Sequence, residues 1–177
     1  MILTGPEIAR EHERGRLVLD PFDPAQVQPN SYNLALGPTL AYYTGEVLDT
    51  RRENPSIAVP IPDEGLVLQP DRIYLGSSLE VLGSNHLVPV IRSRSGAARL
   101  GLFVHVTADL IDIGSIGQST FQLHAVQPVR VHAGDRLAQV TFWRPQGEIT
   151  LYNGKYQGSR GPQPSQIHRD TAEAARR

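Results

Sequence analysis

Apolar residues fall along this chain in short alternating bursts rather than at helical spacing. In 118–126, Phe121, Leu123 and Ala125 share one face of an extended segment, and Thr120, Gln122 and His124 share the other. The first set suits a core. The second either meets solvent or lines a pocket. Segments 72–82, 87–92, 103–107 and 136–143 are likewise short and rich in Val, Ile, Leu, Phe and Tyr, with Gly, Pro, Asn and Asp between them. Many short strands at this spacing predict an all-β barrel or sandwich.

Helical signals are few. Thr4 followed by Glu7 reads as a capping box, with Pro6 early in the first turn and Gly15 as the stop. Segment 95–100 has helical composition for one or two turns, with Ser95 as a candidate N-cap. From Asn153 onward the apolar pattern ends, and Gly, Pro, Gln and Ser dominate. The expected organisation is a β-barrel domain over 1–152 and a C-terminal lid or arm over 153–177, ordered when something binds, with a frayed helix over 170–177.

Composition narrows the chemistry. A length of 177 residues fits one domain with a real core. The net charge of −1 gives no global field for nucleic acid or an anionic membrane. The apolar runs are too short to span a bilayer, and no secretory leader is evident, so the cytoplasm is the expected location. There is no cysteine, which excludes disulfides, thiolate catalysis and the cysteine-ligated zinc deaminases. The six histidines are scattered, so no zinc site is expected.

Against that background 92–99 stands out, with three arginines, two serines and a glycine in eight residues after an apolar strand. Arginines, hydroxyls and free backbone N–H groups at a strand-to-helix turn hold phosphate oxygens. Asp112, in Ile-Asp-Ile-Gly, either bonds its own turn or orients a water or sugar hydroxyl. If the two segments meet in space, they form a nucleotide site. Lys155, Tyr156, Gln157 and Arg160 in the glycine-rich tail suit either a linker or a closing lid.

Several motifs in order resemble the dCTP deaminase family, part of the superfamily shared with trimeric dUTPases. Gln28-Pro-Asn-Ser-Tyr-Asn-Leu-Ala-Leu-Gly37 resembles the family's Ser-x-Asp-Leu-x-Leu-Gly segment. Arg94-Ser-Gly-Ala-Ala-Arg-Leu-Gly-Leu102 resembles its Arg-Ser-Ser-Leu-Ala-Arg-Leu-Gly-Leu motif. His105-Val-Thr-Ala108, Ile111-Asp-Ile-Gly114, Gly134-Asp-Arg-Leu-Ala-Gln-Val140, Gly154-Lys-Tyr-Gln-Gly158 and Gly161-Pro-Gln-Pro-Ser165 follow in place.

The resemblance implies a distorted β-barrel of the dUTPase-like, β-clip type, in a homotrimer with active sites at subunit interfaces. It implies a pyrimidine nucleotide substrate with Mg²⁺ carried on its phosphates. By the same resemblance Arg94, Ser95, Gly96, Ala97, Ala98 and Arg99 hold phosphate, with Ser95 and Arg99 supporting catalysis. Asp112 meets the sugar or prepares a water. Thr120, Phe121 and Gln122 read the base, and Tyr152, Lys155 and Ser159 belong to the closing tail.

Four positions depart from the family pattern. Gln122 stands where family deaminases carry the glutamate that shuttles protons to the ring and the leaving ammonia, and an amide cannot do that at neutral pH. Asn33 replaces an aspartate, and Ser159 a glutamine. Ser115 replaces an aromatic ring that crowds a 2′-hydroxyl, which makes room for a ribonucleotide. Four readings follow: a cytosine nucleotide deaminase, a dUTPase-like nucleotide pyrophosphohydrolase, a nucleotide-binding protein without catalysis, and a β-barrel interaction module that has lost nucleotide binding.

Overall fold

The N-terminal helix α1 runs Gly5–Glu13 and buries Ile8 and Glu11 against the body of the protein. This computed structural model describes residues 1–105 and 107–170 of the chain. Pro6 lies in the first turn of α1, and Gly15, at φ 68°, ends it as expected. The capping box does not form, because Thr4 makes no side-chain cap hydrogen bond. Glu7 is drawn instead to Arg10 at 2.7 Å and to Arg144 at 3.2 Å, the latter a partner 137 residues away. Glu11 sits beneath the same cluster, bonded to Arg14 and Arg16, and the Arg16 guanidinium holds its carboxyl below the usual carboxylate range.

Eleven strands follow: β1 Val18–Asp20, β2 Tyr32–Ala35, β3 Thr39–Tyr43, β4 Ser56–Pro60, β5 Leu66–Leu68, β6 Tyr74–Gly83, β7 Val88–Ser93, β8 Leu102–Phe103, β9 Ile116–Ala125, β10 Val129–Val131 and β11 Arg136–Trp143. A six-stranded sheet has the order β4-β3-β6-β9-β8, with β1 also on β6. β2-β11-β7 form a second sheet, and β10-β5 a third. The pairs are antiparallel, and the sheets wrap one core as a distorted barrel. The chain is thus the all-β fold that the alternation predicts.

The predicted strand over 103–107 is shorter than expected. β8 stops at Phe103, and His105 takes a left-handed φ of 54°, which breaks a ladder. Val106 lies outside the described residues, as does all of the helix expected over 170–177 except Asp170. The second helix, α2, runs Ser95–Arg99. Its N-cap is Arg94, and Ser95 is the first helical residue, so the expected serine cap is displaced by one.

β9 shows how the pattern builds the core. Phe121, Leu123 and Ala125 are fully buried, as the alternation requires. The same register leaves Thr120, Gln122 and His124 half-buried on the opposite face. Leu75 of β6 pairs with Gln122, and Gly76 with Phe121. A methyl on Gly76 would come within 2.7 Å of Leu36, so only glycine admits that packing.

His105 is buried against the edge of Phe121, with ring centroids 5.8 Å apart. Burial lowers its pKa to about 4, while Asp109 pulls it the other way. The folded state therefore favours neutral imidazole, and that stabilisation is complete above about pH 6.5. It is lost as pH falls from there through about 4, and it amounts to roughly 3 kcal/mol at most. Asparagine accepts the left-handed backbone, so His105→Asn is expected to flatten the loss of stability between pH 6.5 and 4. Urea midpoints of both proteins across that range measure the difference. Parallel pH profiles would remove His105 as the cause.

Candidate active site

A cleft of about 1240 Å³ opens over the polar face of β9. Its floor holds Gln118, Thr120 and Gln122, three positions of one strand at the two-residue period. Leu75 and Ile73 line the side toward β6, and Tyr43, Glu46 and Leu48 come from the β3 end and the loop after it.

Asp112 reaches the cleft from the turn between β8 and β9. The turn is closed by Ser115 N–H, which donates to the Asp112 carbonyl at 3.1 Å. It includes Gly114 at φ 92°, where a side chain would strike Leu151 and Tyr152. The Asp112 carboxylate is exposed and has no hydrogen-bond or ion-pair partner among the described residues. Ser115 lines the cleft beside it.

Gln122 donates its Nε2 to the Thr120 carbonyl at 2.8 Å. That internal bond ties the amide to its own strand and leaves Oε1 without a hydrogen-bond donor among the described residues. Gln118, which strand alternation does not single out, is the joint between floor and arm. It donates to the Leu79 carbonyl at 2.9 Å and accepts from Gly161 N–H at 2.6 Å.

The segment after Tyr152 contains no strand, yet it is laid along β9. Gly158 N–H donates to the Ile116 carbonyl at 3.0 Å, and Gln118 N–H donates to the Ser159 carbonyl at 2.9 Å. Gln157 clamps the turn from both sides, donating to the Gly114 carbonyl at 2.7 Å and accepting from Ile116 N–H at 2.9 Å. Gly117 permits this approach, since an added methyl would lie 2.8 Å from Ser159 N. Farther on, Gln163 N–H donates to Thr120 Oγ1 at 3.0 Å, and Ser165 N–H to the Tyr43 hydroxyl at 2.7 Å. Tyr152, Lys155 and Ser159 all line the cleft. The arm thus packs on the body through backbone hydrogen bonds, which the polar tail composition does not reveal.

The arginine-serine segment is placed elsewhere. None of Arg94, Ser95, Gly96, Ala97, Ala98 and Arg99 lines the cleft that holds Asp112 and Gln122. Arg94 donates to the Arg136 carbonyl at 3.1 Å and caps α2. Ala97 is buried, while Ser95, Gly96, Ala98 and Arg99 are exposed, and Arg99 has no ion-pair partner among the described residues. The two segments touch only at their near ends, where Arg92 pairs with Asp109 at 3.0 Å, and Arg94–Arg99 do not share the cleft of Asp112 within one chain. The Phe121 side chain is in the core, so of the expected contribution of this residue only its backbone can face the floor. Asn33 is buried in β2, outside the cleft lining. The remaining sequence-derived residues, Asp112, Thr120, Gln122, Tyr152, Lys155 and Ser159, converge on it.

A family model described as dCTP deaminase-like matches residues 2–145. The chain belongs to the dCTP deaminase-like family. Among its relatives, a dUMP-forming dCTP deaminase of Clostridium botulinum is 42% identical over 171 residues, which is 96% of this chain and 98% of the relative. A second enzyme of that name, from Leptospira biflexa, is 40% identical with the same coverage. The crystal structure of 2′-deoxycytidine 5′-triphosphate deaminase from Agrobacterium tumefaciens superposes with a TM-score of 0.62 at 23% identity, covering 80% of this chain and 47% of that one. That likeness bears on the fold alone. For a member of this family, the cleft offers an amide and hydroxyl floor, an unpaired carboxylate at one end and a cation on the arm.

Proposed function

We propose that this chain binds a pyrimidine nucleoside triphosphate and hydrolyses its phosphate chain to the monophosphate and pyrophosphate, without deaminating the base. One observation carries the reading. The floor residue at position 122 is an amide bonded to Thr120, whereas Asp112 remains an unpartnered carboxylate in the same cleft. Relatives named as dUMP-forming dCTP deaminases must break two bonds, the ring C–N bond to ammonia and the phosphoanhydride next to the α-phosphorus. The first needs a group that takes a proton from water and returns it to the ring, and Gln122 has none to exchange. The second needs an oriented water and charge stabilisation, and Asp112 suits that task.

In this mechanism the Asp112 carboxylate orients a water and accepts its proton. The water oxygen forms a bond to the α-phosphorus, and the bond from that phosphorus to the bridging oxygen breaks. Pyrophosphate leaves with the electron pair. Arg94–Arg99 would supply the cations for the phosphate oxygens from a second copy of the chain in a homotrimer. Support for this comes from the exposure of Ser95, Gly96, Ala98 and Arg99, from the lack of an ion-pair partner for Arg99 among the described residues, and from the exposed apolar residues Leu100, Phe103 and Val126 beside them. Mg²⁺, a hard cation that takes oxygen ligands, would be carried on the phosphates themselves and would neutralise part of their charge. On the floor, Gln122 Oε1 suits the N3–H donor of uracil. Ser115, on the cleft wall with Asp112, is a small side chain that leaves room for a ribose 2′-hydroxyl.

The test is a product assay with dUTP, UTP, dCTP and CTP. Pyrophosphate is expected from the uracil nucleotides, and ammonia from none. Ammonia released from dCTP or CTP would overturn the reading, as would recovery of all four nucleotides intact.

A further inference from the structure

The cations of the cleft are not equally committed. Arg72 is tied to Asp71 at 3.0 Å and lies over the Tyr42 ring at 5.3 Å. Arg169 donates to Gln166 Oε1 at 2.6 Å. Lys155, with a side chain only 21% exposed, has its ammonium 5.8 Å over the Tyr156 ring and ion-paired to Asp170. That pair spans fifteen residues, so it forms only because the arm folds back on itself. Gln166 N–H donates to the Tyr156 hydroxyl at 2.8 Å, Arg169 N–H to the Gln166 carbonyl at 3.1 Å, and Asp170 N–H to the Ile167 carbonyl at 3.1 Å. These bonds carry Asp170 to Lys155 at the cleft wall, where both side chains are among the lining residues.

We infer that Asp170 is a built-in competitor for the substrate's phosphates. Its carboxylate occupies, on Lys155, the place a phosphate oxygen would take. The inference rests on the nucleotide reading above. A carboxylate and a phosphate oxygen are the same kind of partner for an ammonium, so a ligand that uses Lys155 competes with Asp170 for its charge. Asp170 is 59% exposed and can turn to water, which makes the barrier modest but real. The device raises the anionic charge a ligand must bring. It weakens every ligand that needs Lys155 by one common factor and leaves the hydrolytic step unchanged.

Calorimetric titration of the full chain with the non-hydrolysable analogue α,β-imido-dUTP tests this. Asp170→Asn is expected to tighten binding about two- to fivefold, the range an exposed ion pair can supply. The gain is expected to vanish when Asp170→Asn is made together with Lys155→Met and compared with Lys155→Met alone. In turnover, Asp170→Asn should lower KM by that factor and leave kcat alone. Equal affinities for Asp170→Asn and wild type, or a gain that persists without Lys155, would overturn the competitor while nucleotide binding stands. Absence of nucleotide binding by every one of these proteins would overturn both readings together.

Discussion

Asp112→Asn is expected to lower kcat for pyrophosphate release by about 10²–10⁴-fold, the usual cost of removing a general base. The substitution is chosen to leave the turn intact. The turn is held by backbone groups, Ser115 N–H to the Asp112 carbonyl and Gly114 N–H to the Ser84 carbonyl at 2.8 Å, neither of which involves the side chain. The carboxylate itself is exposed and bonds nothing among the described residues. Loss of its charge should therefore leave the melting temperature and the affinity for α,β-imido-dUTP close to wild type. A variant with full kcat would remove Asp112 from the mechanism, and with it the proposed hydrolysis. A variant that loses affinity in proportion to rate would assign Asp112 to binding instead.

Subunit mixing should give an equally large effect. Arg99→Ala and Asp112→Ala proteins are each expected to be nearly inactive, yet a co-expressed one-to-one mixture is expected to recover about a quarter of wild-type activity. The reasoning is geometric. Within one chain the Arg94–Arg99 segment does not line the cleft that holds Asp112, so a complete site would draw its arginine loop from one copy and its carboxylate from the next. In a closed ring of randomly mixed copies, about one interface in four pairs an intact loop with an intact Asp112. Activity of separately tagged, co-purified mixtures reads this directly. No recovery would show that each site is built from a single chain, and full activity of Arg99→Ala by itself would show that Arg99 takes no part.

Residues of the cleft were legible in the sequence to very different degrees. Thr120 and Gln122 followed from alternation along β9, because a two-residue period assigns faces without any knowledge of the neighbours. Asp112, Tyr152, Lys155 and Ser159 came from motif resemblance, and the structure brings them to the same cleft. Gln118, Arg72, Tyr43 and Asp170 carried no local signal. Their positions depend on the register of β6 on β9 and on the path of the arm. The failed cap at Thr4 has a similar cause, since Arg144, distant in sequence, competes for Glu7.

By itself the sequence determined the fold class, the faces of the principal strands and the family. It also set the chemical limit at position 122, because these depend on residue type and local period. Tertiary structure alone decided which segments meet. It joined Asp112 to the floor of β9, set Asp170 on Lys155 and kept the arginine-serine segment away from both. The physical reason is that alternation specifies which side of a strand is buried, whereas the partners a residue finds depend on register and on loop paths that no local pattern encodes.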